Sequence, residues 1–118
     1  MNETELMNAV MLAVTNAGHQ IFRTNVGKVR TPDGRFFNTG LPKGHCDLYG
    51  FRPDGQIFYI ETKLHPRRPT KEQRQFMLAM ISKGAAAGVA YTVEEALKIV
   101  EWPKGYREIM EGALRYGL

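Results

Sequence analysis

The chain carries a single cysteine, Cys46, in 118 residues. It cannot close an internal bridge, which excludes a disulfide-stapled secreted scaffold and makes a reducing cytoplasm the expected compartment. Long apolar runs are missing as well, and Met1 leads into Glu3 and Glu5 rather than into a basic and then apolar leader. Neither a membrane span nor a secretion signal is therefore expected. No Cys/His cluster has zinc spacing, no Gly-rich run has the form of a phosphate-cradling P-loop, and Cys46 lacks the His and Asp pattern of a thiol triad. Acidic residues are the scarcer charge, 12 against 16 Lys and Arg, for a net charge of +4. That balance permits a polyanionic partner without requiring one.

What is present reads as one globular domain over residues 1–118. Apolar residues make up 43% and charged residues 24% of the chain, too balanced for a disordered tail or a coiled coil. Leu6, Val10, Ala13, Val14 and Ala17 fall at helical spacing over 3–17, with Asn2 as N-cap and Gly18 as stop. A short strand is expected over 19–24. The loop-rich stretch 25–44 follows, in which Thr31-Pro32-Asp33-Gly34 signals a turn closing a small hairpin between Val29 and Phe36. Residues 46–52 and 56–64 read as strands around Pro53-Asp54-Gly55. Pro66 and Pro69 break the second of them. Thr70-Lys71-Glu72-Gln73 opens a helix with the core stripe Phe76, Met77, Met80 and Ile81, ending near Gly84. A strand over 88–91, a helix from Thr92-Val93-Glu94-Glu95 through Val100, and a last short helix over 106–116 complete the pattern.

The chemistry concentrates on the 46–64 hairpin. If Pro53-Asp54-Gly55 forms a three-residue loop, Arg52 pairs with Gln56, and the same register sets Asp47 directly opposite Glu61. Their β-carbons would lie roughly 5 Å apart, and like charges so placed repel. Such a pair is a liability unless a cation sits between its members. Alternation puts Lys63 on the face of Glu61 and turns Thr62 away. Few, hard oxygen ligands with room for water suit Mg²⁺ or Mn²⁺ better than zinc. An ordinary cross-strand ion pair on a solvated face is the competing explanation. Basic residues surround this hairpin: Lys28, Arg30, Arg35 and Lys43 on one side, and Lys63, Arg67, Arg68, Lys71 and Arg74 on the other.

Asp47, followed after thirteen residues by Glu61-Thr62-Lys63, resembles the core of the PD-(D/E)XK nuclease superfamily. Gly44-His45-Cys46-Asp47-Leu48, Ile60-Glu61-Thr62-Lys63 and Thr70-Lys71-Glu72-Gln73 more closely resemble the virus-type replication-repair nuclease (VRR-NUC) domain in its minimal, phage-like, stand-alone form. The resemblance runs from about Glu3 to Glu95. It implies an α/β fold with a restriction-endonuclease-like core, a mixed β-sheet flanked by α-helices. It implies Asp47, Glu61 and the Thr62 backbone carbonyl as ligands of Mg²⁺ or Mn²⁺, Lys63 as the catalytic lysine and Gln73 as a further site residue. A glutamate of the first helix completes such sites; Glu5 is preferred to Glu3, and it would reach the metal directly or through water. Cys46 stands where the superfamily name has proline.

The activity implied is metal-dependent, structure-selective DNA hydrolysis in a bacterial or phage-infected cell, with a four-way (Holliday) junction as substrate and no organic cofactor. Lys28, Arg30, Arg67, Arg68, Lys71 and Arg74 would contact phosphates. Two symmetric strands need two sites, so a homodimer is expected, through the tail carrying Trp102, Tyr106, Tyr116 and Leu118 or through the 76–81 helix. Two other readings compete: a non-catalytic DNA-binding module, and a sequence-specific restriction-type endonuclease, for which the chain has little spare length. Gln73 and Glu5 each stand three residues after a capping residue, so helix capping also explains them. His45 and His65 flank the pair and have the chemistry to touch phosphate, though exposed loop histidines are more often inert.

Overall fold

The computed structural model describes residues 1–24, 28–38 and 40–117, excepting the side chains of 28, 29 and 36–38. Helix α1 (Glu3–Asn16) starts in a capping box: the Asn2 side chain accepts from the Glu5 N–H at 2.8 Å, and the Glu5 carboxylate accepts from the Asn2 N–H at 3.4 Å. Its apolar stripe of Leu6, Met7, Val10 and Val14 is buried. Strand β1 (Gln20–Arg23) follows, and then a separate two-stranded ribbon of β2 (Lys28–Arg30) and β3 (Phe36–Asn38). The expected small hairpin is there, with Arg30 opposite Phe36 and Val29 opposite Phe37.

Strands β4 (Leu48–Phe51) and β5 (Ile57–Thr62) form the antiparallel pair expected around Pro53-Asp54-Gly55. The Gly55 N–H closes the turn on the Arg52 carbonyl at 2.8 Å, and the Arg52 N–H donates to the Gln56 carbonyl at 3.0 Å. Leu48 faces Ile60 and Phe51 faces Ile57, the register deduced from the turn. Arg52 also anchors this turn to the body. It binds the Asp54 carboxylate at 2.6 Å, holding that group down to about 2, and donates to the Val100 and Glu101 carbonyls at 3.2 and 2.8 Å.

Helix α2 (Lys71–Ser82) crosses over from β5 to β6 (Ala86–Ala90), which pairs parallel to β5. The order β1-β4-β5-β6 makes a mixed sheet. Helices α3 (Val93–Glu101) and α4 (Tyr106–Tyr116) follow, giving four helices among the described residues. Side-chain alternation splits the sheet into two faces. Phe58 and Ile60 look toward α3 and its neighbour α1, while Tyr59 looks toward α2, where Phe76 meets its ring at 5.3 Å. Strand β6 is rich in Ala and Gly, with Val89 its one larger residue, because helices crowd it: a β-carbon at Gly88 would come within 2.6 Å of Met110 in α4 and 3.0 Å of Ile99 in α3. No helix is long and apolar enough to cross a membrane among the described residues.

Candidate active site

Asp47 lies one residue before β4. Thr24, just past β1, fixes the backbone there: its N–H donates to the Asp47 carbonyl at 2.8 Å, and its hydroxyl donates to the Cys46 carbonyl at 2.7 Å. Gly44 seats the approaching loop. It adopts φ +93°, and a β-carbon on it would lie 2.4 Å from the Glu72 carbonyl in the first turn of α2, so only glycine fits both the dihedral and the space. His45 packs in an aromatic cluster, with its Nδ1 2.8 Å from the Cys46 carbonyl and its ring 4.6 Å from that of Phe76 and 5.6 Å from that of Tyr59.

Continuing the β4–β5 register brings Asp47 beside Glu61, and the Asp47 N–H donates to Glu61 Oε1 at 3.3 Å. Lys63 Nζ lies 3.6 Å from Glu61 Oε2. Glu61 is 1% and Lys63 5% exposed, so the pair sits inside the protein rather than on the solvated face that an incidental surface ion pair would occupy. Burial pushes the Glu61 carboxyl up to about 8, the Asp47 charge adds to the shift, and Lys63 only partly opposes it. Burial and the same two carboxylates push the Cys46 thiol well up, which makes it an inert core side chain. The Thr62 hydroxyl, turned to the opposite face, is buried without a hydrogen-bond partner.

The other residues expected at the site are placed differently. Gln73 completes a capping box on α2: its side chain accepts from the Thr70 N–H at 2.8 Å, and its own N–H donates to the Thr70 hydroxyl at 3.1 Å. Glu5 is held in the α1 box, whereas Glu3 reaches across to the segment after Lys63 and binds Arg67 at 2.7 Å. Among the described residues, no three of His, Cys, Asp and Glu come together as a set able to hold a metal ion.

Of the phosphate-contact candidates, Lys71 and Arg30 are exposed, and the Lys28 side chain lies outside the described residues. Arg68 Nη1 donates to the Gly117 carbonyl at 2.5 Å, and Arg74 Nη1 to the Leu114 carbonyl at 3.3 Å, so both tie down the end of α4. Sequence reading missed that duty because the partners lie forty and forty-nine residues away and carry no local signal. Among the expected dimer surfaces, Met77 and Ile81 are buried in the protein's own core, and Phe76, Trp102 and Tyr106 pack against that core. Tyr116 is exposed, and Leu118 lies outside the described residues.

The donor chemistry fits a hard divalent cation. Two carboxylates are brought together, Glu61 out of water and Asp47 half-buried, and burial with the Asp47 charge raises the affinity of Glu61 for a proton. A cation that keeps its waters and needs only one or two protein carboxylates is matched to such a pair. No family model matches the chain, and no curated protein does. Among solved structures, a chain described as a VRR_NUC domain is similar over 84% of this chain and 94% of its own, with TM-score 0.61 and 19% sequence identity. The two share a fold; in this chain the Asp47, Glu61 and Lys63 cluster lies at one end of the β4–β5 pair of the four-stranded sheet.

Proposed function

We propose that this chain is an Mg²⁺- or Mn²⁺-dependent, structure-selective DNA endonuclease that resolves four-way junctions as a homodimer. The observation that carries the reading is the buried Glu61, facing Asp47 and 3.6 Å from Lys63, on a fold shared with a VRR_NUC domain. Asp47 and Glu61, with the Thr62 carbonyl, would hold the cation. Bound there, it would supply positive charge for the scissile phosphate and make water acidic enough to attack.

The protein's own groups do the remaining work. Lys63 is fixed by its buried ion pair, so its ammonium is aimed in advance at charge that builds on the phosphate, without reorganisation during the reaction. Glu61 must release its proton before a cation can enter. Gln73 and Glu5 are held in the capping boxes of α2 and α1, so either would have to leave its cap to serve the site. Arg30, Arg67 and Lys71 offer positive charge to the backbone and read no bases, so recognition follows DNA shape.

Cleavage of a four-way junction, a flap and a linear duplex, side by side with Mg²⁺, Mn²⁺ or EDTA, tests the reading. Junction cutting that EDTA abolishes is expected. The near closure of Glu61 and Lys63 to solvent favours one competing reading, a DNA-binding scaffold without catalysis. Junction binding with no cleavage in either metal would assign it.

A further inference from the structure

A cleft of ≈ 490 Å³ opens beside the site, between the chain that follows β5 and the last turns of α4. Its walls start at the catalytic strand end. The Lys63 N–H donates to the Ala90 carbonyl at 3.1 Å, and from that point the chain leads to His65 on one side and to Tyr91 on the other. The two rings stack face to face, with centroids 4.0 Å apart and 10° between planes. The Tyr91 hydroxyl is anchored on the Arg67 carbonyl at 2.8 Å, so the tyrosine backs the stack while His65 stays exposed.

Around the rings stand Arg68, Arg74 and Arg115, and among the described residues no acidic side chain lines the cleft. Arg68 uses Nη1 on the Gly117 carbonyl just past α4 and Arg74 uses Nη1 on the Leu114 carbonyl of α4, which fixes their orientation and leaves the rest of each guanidinium fork for a ligand. Arg115 is balanced by Glu111 at 3.6 Å, outside the lining. The volume is that of a small-molecule site rather than of a groove for duplex DNA. An aromatic platform with cations at its rim is the combination that takes a base and its phosphate together.

We propose that this cleft receives one unpaired nucleotide of the DNA strand, its base laid on His65 and its phosphate among the arginines. The inference rests on the nuclease reading for its substrate, and it deepens that reading: the preferred DNA carries an unstacked nucleotide next to the scissile bond. A branch point supplies such a nucleotide and a perfect duplex does not.

The first test needs no cleavage. Titrating the full chain with dAMP, and separately with deoxyadenosine and inorganic phosphate, can be followed on the ring NMR signals of His65 and Tyr91. dAMP should shift both saturably and more tightly than either fragment. The paired variant His65→Ala with Arg115→Ala, both exposed positions, should lose the response, and His65→Phe should restore stacking. The second test compares two duplexes that differ by one unpaired adenine. The paired variant should lose at least about five-fold in affinity for the bulged duplex, the low end of what a base–aromatic stack contributes, and little for the paired one.

Phosphate alone reproducing the dAMP shifts would reduce the cleft to a bare anion site and overturn the proposal. Equal loss on both duplexes would overturn it too, by making these residues general backbone contacts. The two readings separate cleanly. A chain that takes dAMP but cuts no DNA keeps the nucleotide site and loses the nuclease; a chain that cuts junctions yet ignores both dAMP and the bulge does the reverse.

Discussion

A carboxyl group that is 1% exposed and shares its surroundings with a second carboxylate ionises late, and the consequences can be measured. Glu61 holds its proton to about 8 in the folded chain, against 4.5 for an ordinary glutamate. Between those values the folded state binds more protons than the unfolded state, so without metal the stability should fall as pH rises from about 4.5 to about 8, by on the order of a few kcal/mol. Urea unfolding in EDTA across that window checks the sign, and Glu61→Gln should flatten the dependence. Added Mn²⁺ should stabilise the chain most at the alkaline end, where the carboxyl is free to bind it. Asp47→Asn should abolish cleavage and the Mn²⁺ stabilisation while leaving the fold intact. Lys63→Ala leaves a neighbour that can keep its proton, so the fold should survive. Single-turnover cleavage at saturating DNA should still slow by about 10² or more; normal cleavage there would reduce Lys63 to an ion-pair partner.

Helix α2 poses a question of double duty. Gln73 closes the cap with Thr70 and also stands at the start of the helix that Gly44 abuts. Gln73→Glu preserves the capping box, so thermal stability should hold while cleavage falls; unchanged cleavage would leave Gln73 as a cap alone. Thr70→Ala, which removes the cap itself, should cost about 1 kcal/mol. Elements like this one were legible in the sequence because their signals are local. Thr70 with Gln73, the Pro53-Asp54-Gly55 turn and the alternation of Glu61 and Lys63 fixed a helix start, a register and a face. Other features depend on partners far along the chain. Nothing near Arg68 or Arg74 points to the end of α4, nothing near Arg67 points to Glu3, and the small residues of β6 make sense only once Met110 and Ile99 are seen against Gly88. Strand ends were overread for the same reason, since residues such as Asp47 and Lys63 continue the extended chain past the last ladder pair.

Across the whole molecule, DNA binding should respond to salt through exposed cations, Lys71 and also Arg67, which shares its charge with Glu3. Replacing Arg67 or Lys71 by Ala should each lower the slope of log affinity against log salt by about one, equally for every junction sequence. Assembly is read by sedimentation. A dimer at micromolar concentration, with or without junction DNA, is expected, and a monomer under both conditions would remove it. Its contacts must lie elsewhere than on the faces of Met77 and Ile81, which the fold itself covers. One constraint links places that never touch. The turn at Pro53-Asp54-Gly55 lies at the far end of the hairpin from Asp47 and Glu61, yet it sets their register. A single residue added there, unless absorbed as a bulge, would turn Glu61 toward α3 and Thr62 into the site. The length of an exposed loop is thus as much a property of the active centre as the identity of its carboxylates, and descendants of this chain could vary the letters of the turn far more freely than their number.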